Sequence, residues 1–146
     1  MLGDEKVPLP TDFFRFVVVQ QHGEKKKHLS IFVTVERIIK SHAMTYDDER
    51  ALRELERWFD KNLVSPKRFD RAAAIFWFKP HVAGATALWE KSIALAELLE
   101  KYGYRLEIVS TSRPGKIVYD DDVQIAAVPF KDTFGADSSS PILHAL

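Results

Sequence analysis

Seven consecutive apolar residues, Ala72-Ala73-Ala74-Ile75-Phe76-Trp77-Phe78, constrain this chain more than any other feature. A strand that is apolar on both alternating sides has to be covered above and below, so it belongs in the middle of a layered fold. Pro80 follows, and then an amphipathic helix is expected from Val82 to Tyr102. Its stripe is Leu88, Leu95, Leu99 and Tyr102, with Ala94 and Leu98 at the margins. Gly103 suits the residue after the helix end, where a left-handed backbone is common.

The remaining elements follow from their periods. Phe13 to Val19 is rich in aromatic and β-branched residues and reads as a strand. Gln21 to Lys27 reads as a polar loop. Leu29 to Glu36 reads as a second strand with Leu29, Ile31, Val33 and Val35 on one face; residues 37–44 fit either an extension of that strand or a short helix. Leu52, Leu55, Phe59 and Leu63 share a helical stripe over 47–62, with Thr45 as N-cap and Asp47, Asp48 and Glu49 in the first turn. Pro66 ends it. Glu49 with Arg53 and Arg50 with Glu54 are spaced as i,i+4 pairs. Leu106 to Thr111, Ile117 to Tyr119 and Val123 to Val128 are three further strands, turned by Arg113-Pro114-Gly115 and by Asp120-Asp121-Asp122.

The expected class is α+β, a mixed β-sheet with two main helices in the order β-β-α-β-α-β-β-β. Strand–helix–strand connections suggest parallel neighbours with right-handed crossovers. At 146 residues the chain reads as a single domain over 1–146, with 1–11 a lead-in and 134–146 a loose tail. A domain of that size buries roughly 70% of its unfolded surface without staples. The absence of cysteine removes disulfides, thiolate metal sites and cysteine nucleophiles together. No membrane span and no secretory leader is expected, so the reading is cytoplasmic. Lys plus Arg equals Asp plus Glu at 21 each, which disfavours a nucleic-acid partner, whose phosphates call for a basic excess.

The segment Thr111 to Phe130 (TSRPGKIVYDDDVQIAAVPF) resembles the end of small uncharacterised bacterial proteins that carry an Arg-Pro-Gly, Val-Tyr-acidic, Gln-hydrophobic-x-Ala-x-Pro-Phe pattern, and Phe76-Trp77-Phe78-Lys79 fits the same impression. The resemblance implies no activity, cofactor or site.

No motif for nucleotide, hydrolase or metal chemistry is present, and no cofactor or metal is expected. Asp120-Asp121-Asp122 reads as a solvated turn, and Glu24-Lys25-Lys26-Lys27-His28 as a solvated hairpin tip. His22 and His28 flank one loop without a third ligand. The best candidate ligand site is the edge formed where the presumed parallel strands end: Lys79, His81, Thr111, Ser112 and Arg113, with Lys79-Pro80-His81 opening the long helix. Arg37, Phe130, Lys131 and Asp132 are placed at that edge too, and the acidic turn at the opposite one. Two functions fit. One is a non-enzymatic binding or interaction domain, with a homodimer suggested by Phe32 and Trp77 on an uncovered face. The other is an enzyme for an anionic small molecule, clamped by Arg113 and Lys79 with His81 as acid or base.

Overall fold

The computed structural model describes residues 8–64, 74–130 and 138–141. In chain order the elements are β1 (Phe13–His22), β2 (Lys25–Ser30), α1 (Ile31–Ser41), α2 (Tyr46–Asn62), β3 (Ile75–Phe78), α3 (Ala85–Lys101), β4 (Arg105–Thr111), β5 (Lys116–Asp120), β6 (Gln124–Val128) and β7 (Ser138–Pro141). The class is α+β, as expected. No described helix is long and apolar enough to cross a membrane.

Hydrogen-bonded neighbours run β5-β6-β3-β1-β4-β7, with β2 also on β1. The expectation of parallel neighbours is corrected: β1 with β2, β1 with β3, β3 with β6 and β5 with β6 are all antiparallel. A helical crossover joins two strands but does not oblige them to be adjacent. Here β1 occupies the position between β3 and β4.

The expected strand over 29–36 is a second correction. Only Leu29 and Ser30 are extended; from Ile31 the chain is helical, giving three described helices where two were expected. Ser30 caps α1, its hydroxyl accepting from the Phe32 N–H at 3.2 Å. Burial falls on Ile31, Thr34, Val35 and Ile38, while Phe32 and Val33 are exposed. That helical spacing of buried positions outweighs the modest helix cost of the β-branched residues. The basic stretch read as a loop is the strand β2. Its register runs from Val17 opposite Ser30 to His22 opposite Lys25, leaving only Gly23 and Glu24 as the turn. Gly23 has φ 64°, the positive value that hairpin turns matched to strand twist require.

The 47–62 helix is found as α2, with Thr45 accepting from the Asp48 N–H. Both i,i+4 pairs form, at 3.2 Å for Arg53–Glu49 and 3.8 Å for Arg50–Glu54. Gly103 takes φ 92° after α3. Ser138–Pro141, expected as loose tail, is the strand β7. Ala72, Ala73, Pro66, Lys131 and Asp132 lie outside the described residues, as do 1–7 of the lead-in and the rest of the tail.

The chain divides into two compact units. The first comprises 1–15, 65–89 and 108–146. Its core gathers Phe14, edge-on to both Phe78 (5.6 Å) and Trp89 (5.5 Å), with Trp77, Ile125, Ala126 and Ala127 fully buried. Trp77, expected on an open face, is buried, whereas Ile75 and Phe76 are only half-buried. The second unit comprises 16–64 and 90–107. It buries Phe16 to Val19, the α1 stripe, Leu52 and Phe59 of α2, and Leu95 and Leu99 of α3. Phe32 packs edge-on to Phe59 at 5.1 Å. With Trp77 buried and Phe32 on a helix, the sheet-face argument for a homodimer loses its premise.

Candidate functional site

The antiparallel pairing of β3 with β6 decides where Lys79 lies. Phe78 is opposite Gln124, so the end of β3 meets the Asp120–Asp122 turn rather than the Arg113 turn. The Lys79 N–H donates to the Val123 carbonyl at 2.9 Å. Its ammonium donates to the Asp120 carboxylate at 2.5 Å and to the Asp121 carbonyl at 2.6 Å. A lysine so engaged is a strut for the turn, not a clamp waiting for an anion.

Asp121 organises that turn. Oδ1 accepts from the N–H groups of Val123 and Gln124, both at 2.9 Å. Oδ2 accepts from the Tyr119 hydroxyl at 2.6 Å and more weakly from the Gln124 amide at 3.4 Å. Burial pushes the Asp121 carboxyl up, but the Tyr119 hydroxyl and the two backbone N–H groups outweigh it and hold the group below its ordinary value. The same bond to Asp121, helped by burial, pushes the Tyr119 phenol up to about 12. The acidic run is thus no simple solvated turn: Asp121 is a structural acceptor, Asp120 pairs with Lys79 at the surface, and Asp122 faces water.

His81 is exposed, its Nε2 3.1 Å from the Thr11 carbonyl. The helix opens at Ala85, not Val82, so Lys79 and His81 precede it and sit outside its first turn. The helix-dipole argument for this pair does not apply.

Thr111, Ser112 and Arg113 lie at the other end of the β5–β6 hairpin. Lys116 is opposite Val128 there, whereas Asp120 is opposite Ile125 at the acidic end. The structure therefore brings Thr111, Ser112 and Arg113 together and separates them from Lys79 and His81. Buried Thr111 accepts from the Arg113 N–H at 3.0 Å, and Pro114 is buried beside it. Gly115, at φ 126°, approaches β6 so closely that a Cβ would stand 2.1 Å from the Val128 carbonyl oxygen. The turn thereby holds the exposed Arg113 with its guanidinium 5.6 Å from the Phe130 ring centre. Along β5, Ile117 pairs with Ala127 and Tyr119 with Ala126, so Val118 is an extra residue, a β-bulge. Ile117, Val118 and Phe130 are 47%, 37% and 44% exposed, a local concentration of large apolar side chains in water.

The second unit holds a charged cluster that the sequence reading missed. Glu107 is wholly buried in β4, its side chain only 2% exposed. Lys26 of β2 reaches both carboxylate oxygens at 3.0 Å, Arg105 stands at 3.5 Å and His28 at 3.9 Å. The available signal was a carboxylate set among the apolar Leu106, Ile108 and Val109. The histidine pair does not arise by register: His28 is opposite Val19 and His22 opposite Lys25. A further node joins helix ends. The Tyr102 hydroxyl accepts from the Thr45 N–H (3.1 Å) and donates to Asp48 (2.5 Å), which also pairs with Lys101 at 2.9 Å. Lys101 and then Tyr102 hold the Asp48 carboxyl below its ordinary value. Among the described residues no three of His, Cys, Asp or Glu are grouped as metal ligands.

Comparison with family models, curated proteins and solved structures returns no match.

Proposed function

We propose that this chain is a cytoplasmic binding domain whose docking surface is the β5 edge of its first unit. The observation that carries the reading is the exposure of Ile117 and Val118 on one bulged hairpin and of Phe130 just beyond its end, flanked by Arg113 and Lys116. Apolar side chains concentrated in water mark interaction sites more often than chance. The bulge and the lysine both discourage a continuous added strand, while a bulge re-aims the side chain it carries. Docking therefore proceeds through side chains. Arg113 and Lys116 place two cations at the Phe130 end, so the fitting partner is a polypeptide segment with apolar side chains followed by a carboxylate. Two of the residues expected to bind a ligand have other partners: Lys79 braces a turn and Thr111 accepts from the Arg113 N–H.

The test is selection of a random peptide display library on the immobilised full chain. Enriched peptides should combine aliphatic or aromatic residues with an acidic residue. Their binding should fall at least about tenfold in Val118→Glu and in Arg113→Glu, the scale of one lost anchor contact. Failure to enrich any sequence, or enriched peptides that bind both variants undiminished, would remove the reading.

A further inference from the structure

We propose that Trp77 and Arg15, in the first unit, form a binding subsite for an oxyanion, a carboxylate or a phosphate, independent of the β5 surface. Trp77 is 2% exposed, and its indole N–H has no hydrogen-bond partner. It is the exception among the described buried polar side chains. Thr111 accepts from Arg113, Gln124 donates to Asp121 and Glu107 is held by Lys26. An N–H buried without an acceptor forfeits the hydrogen bond it would make with water, and phenylalanine would fill most of the same space without that cost. A donor kept under such conditions calls for an explanation, and an acceptor from outside the chain supplies one.

The neighbouring charge identifies the acceptor's class. Phe14 is opposite Phe78 in antiparallel register, so Arg15 and Trp77 are the next residues on the two strands. The guanidinium carbon lies 5.7 Å from the Trp77 ring centre, over the π-face. The indole N–H projects in the plane of the ring, while the guanidinium stands over its face. A guanidinium carries five N–H donors, enough to keep its existing partners and still grip an oxyanion. An acceptor bearing negative charge gains from both groups, since hydrogen bonds to charged partners are about twice as strong as neutral ones. A neutral carbonyl gains chiefly from the indole.

The experiment is ¹⁵N–¹H spectroscopy of the tryptophan-labelled full chain, which has three indole N–H signals. Assignment uses Trp58→Phe and Trp89→Phe, so it does not depend on a Trp77 variant folding. Sodium phosphate, sodium acetate and neutral acetamide are titrated separately, against sodium chloride at matched ionic strength. The expected result is a saturable downfield shift of the Trp77 proton with phosphate, acetate or both, the Trp58 and Trp89 signals staying in place. Which anion acts identifies the source of the oxyanion. In Arg15→Gln the midpoint should weaken by about tenfold or more, the worth of one charge-assisted bond. A Trp77 signal that stays still with both anions overturns the proposal. So does acetamide acting with the same midpoint as acetate, because the guanidinium would then contribute nothing.

Discussion

Two charged hairpins of this protein solve the same problem in opposite ways. The β1–β2 hairpin is basic and turns on Gly23 and Glu24; its Lys26 finds a counter-charge on Glu107, 81 residues away. The β5–β6 hairpin is acidic at its turn, and Asp121 is satisfied largely by groups within three residues, Tyr119, Val123 and Gln124. The charge of the first is met by a distant strand, whereas the Asp121 side chain is met within its own turn, which Lys79 braces from outside. A carboxylate that caps its own turn needs little from the rest of the fold, whereas one buried in a strand depends on a partner brought by chain topology.

The comparison breaks first at the open end of the acidic hairpin. Gly115→Ala should destabilise the protein by about 3 kcal/mol or more, from positive φ and the overlap with Val128 together. Urea unfolding that shows a loss below about 1 kcal/mol would mean that the Arg113 turn is not locked onto β6. Glu107→Ala comes next. Removing a buried carboxylate leaves Lys26 without its counter-charge, but Lys26 is 41% exposed and can turn to water. The expected loss is about 2 kcal/mol, less than for a fully buried pair. A double-mutant cycle with Lys26→Ala should return a coupling above about 0.5 kcal/mol; additivity would show that the ion pair is incidental.

Smaller effects sharpen the contrast within one turn. Asp121→Ala should cost about 1–2 kcal/mol, because two backbone donors and the Tyr119 hydroxyl lose their acceptor. Asp122→Ala should stay within about 0.5 kcal/mol, as an exposed side chain with no such role. Equal effects of the two would erase the distinction between the structural and the solvated acid.

The smallest effect is the pH dependence of that turn. Asp121 is held below its ordinary value of 3.8, so its contribution is fully present above that value and is lost as the pH falls below it. Tyr119 is raised from 10.0 to about 12, so its contribution is present below pH 10 and lost as the pH climbs through 12. The Tyr119–Asp121 hydrogen bond contributes to both shifts, so it links the two extremes. Tyr119→Phe should flatten the alkaline side of a stability profile, and an unchanged alkaline slope would count against the bond.

What the sequence determined by itself was local. The helix 46–62 with its Thr45 cap and salt pairs, the long helix ended by Gly103 (though not its start, expected at Val82 and found at Ala85), and the hairpin over 116–128 were legible, because capping, stripe and turn chemistry act within a few residues. Even locally, alternation misled at 31–36, where β-branched residues mimic a strand and only the burial of Ile31, Thr34, Val35 and Ile38 reveals the helix. Tertiary structure decided the neighbours. Insertion of β1 between β3 and β4, and the antiparallel run of β6 beside β3, moved Lys79 to the acidic turn and left Arg113 at the far end. Glu107 and Trp77 show the same division. Their residue types were visible in the sequence, but whether a carboxylate gains a lysine or an indole keeps an unpartnered N–H depends on which distant strand lies alongside. Backbone hydrogen bonds between strands carry almost no residue code for that choice.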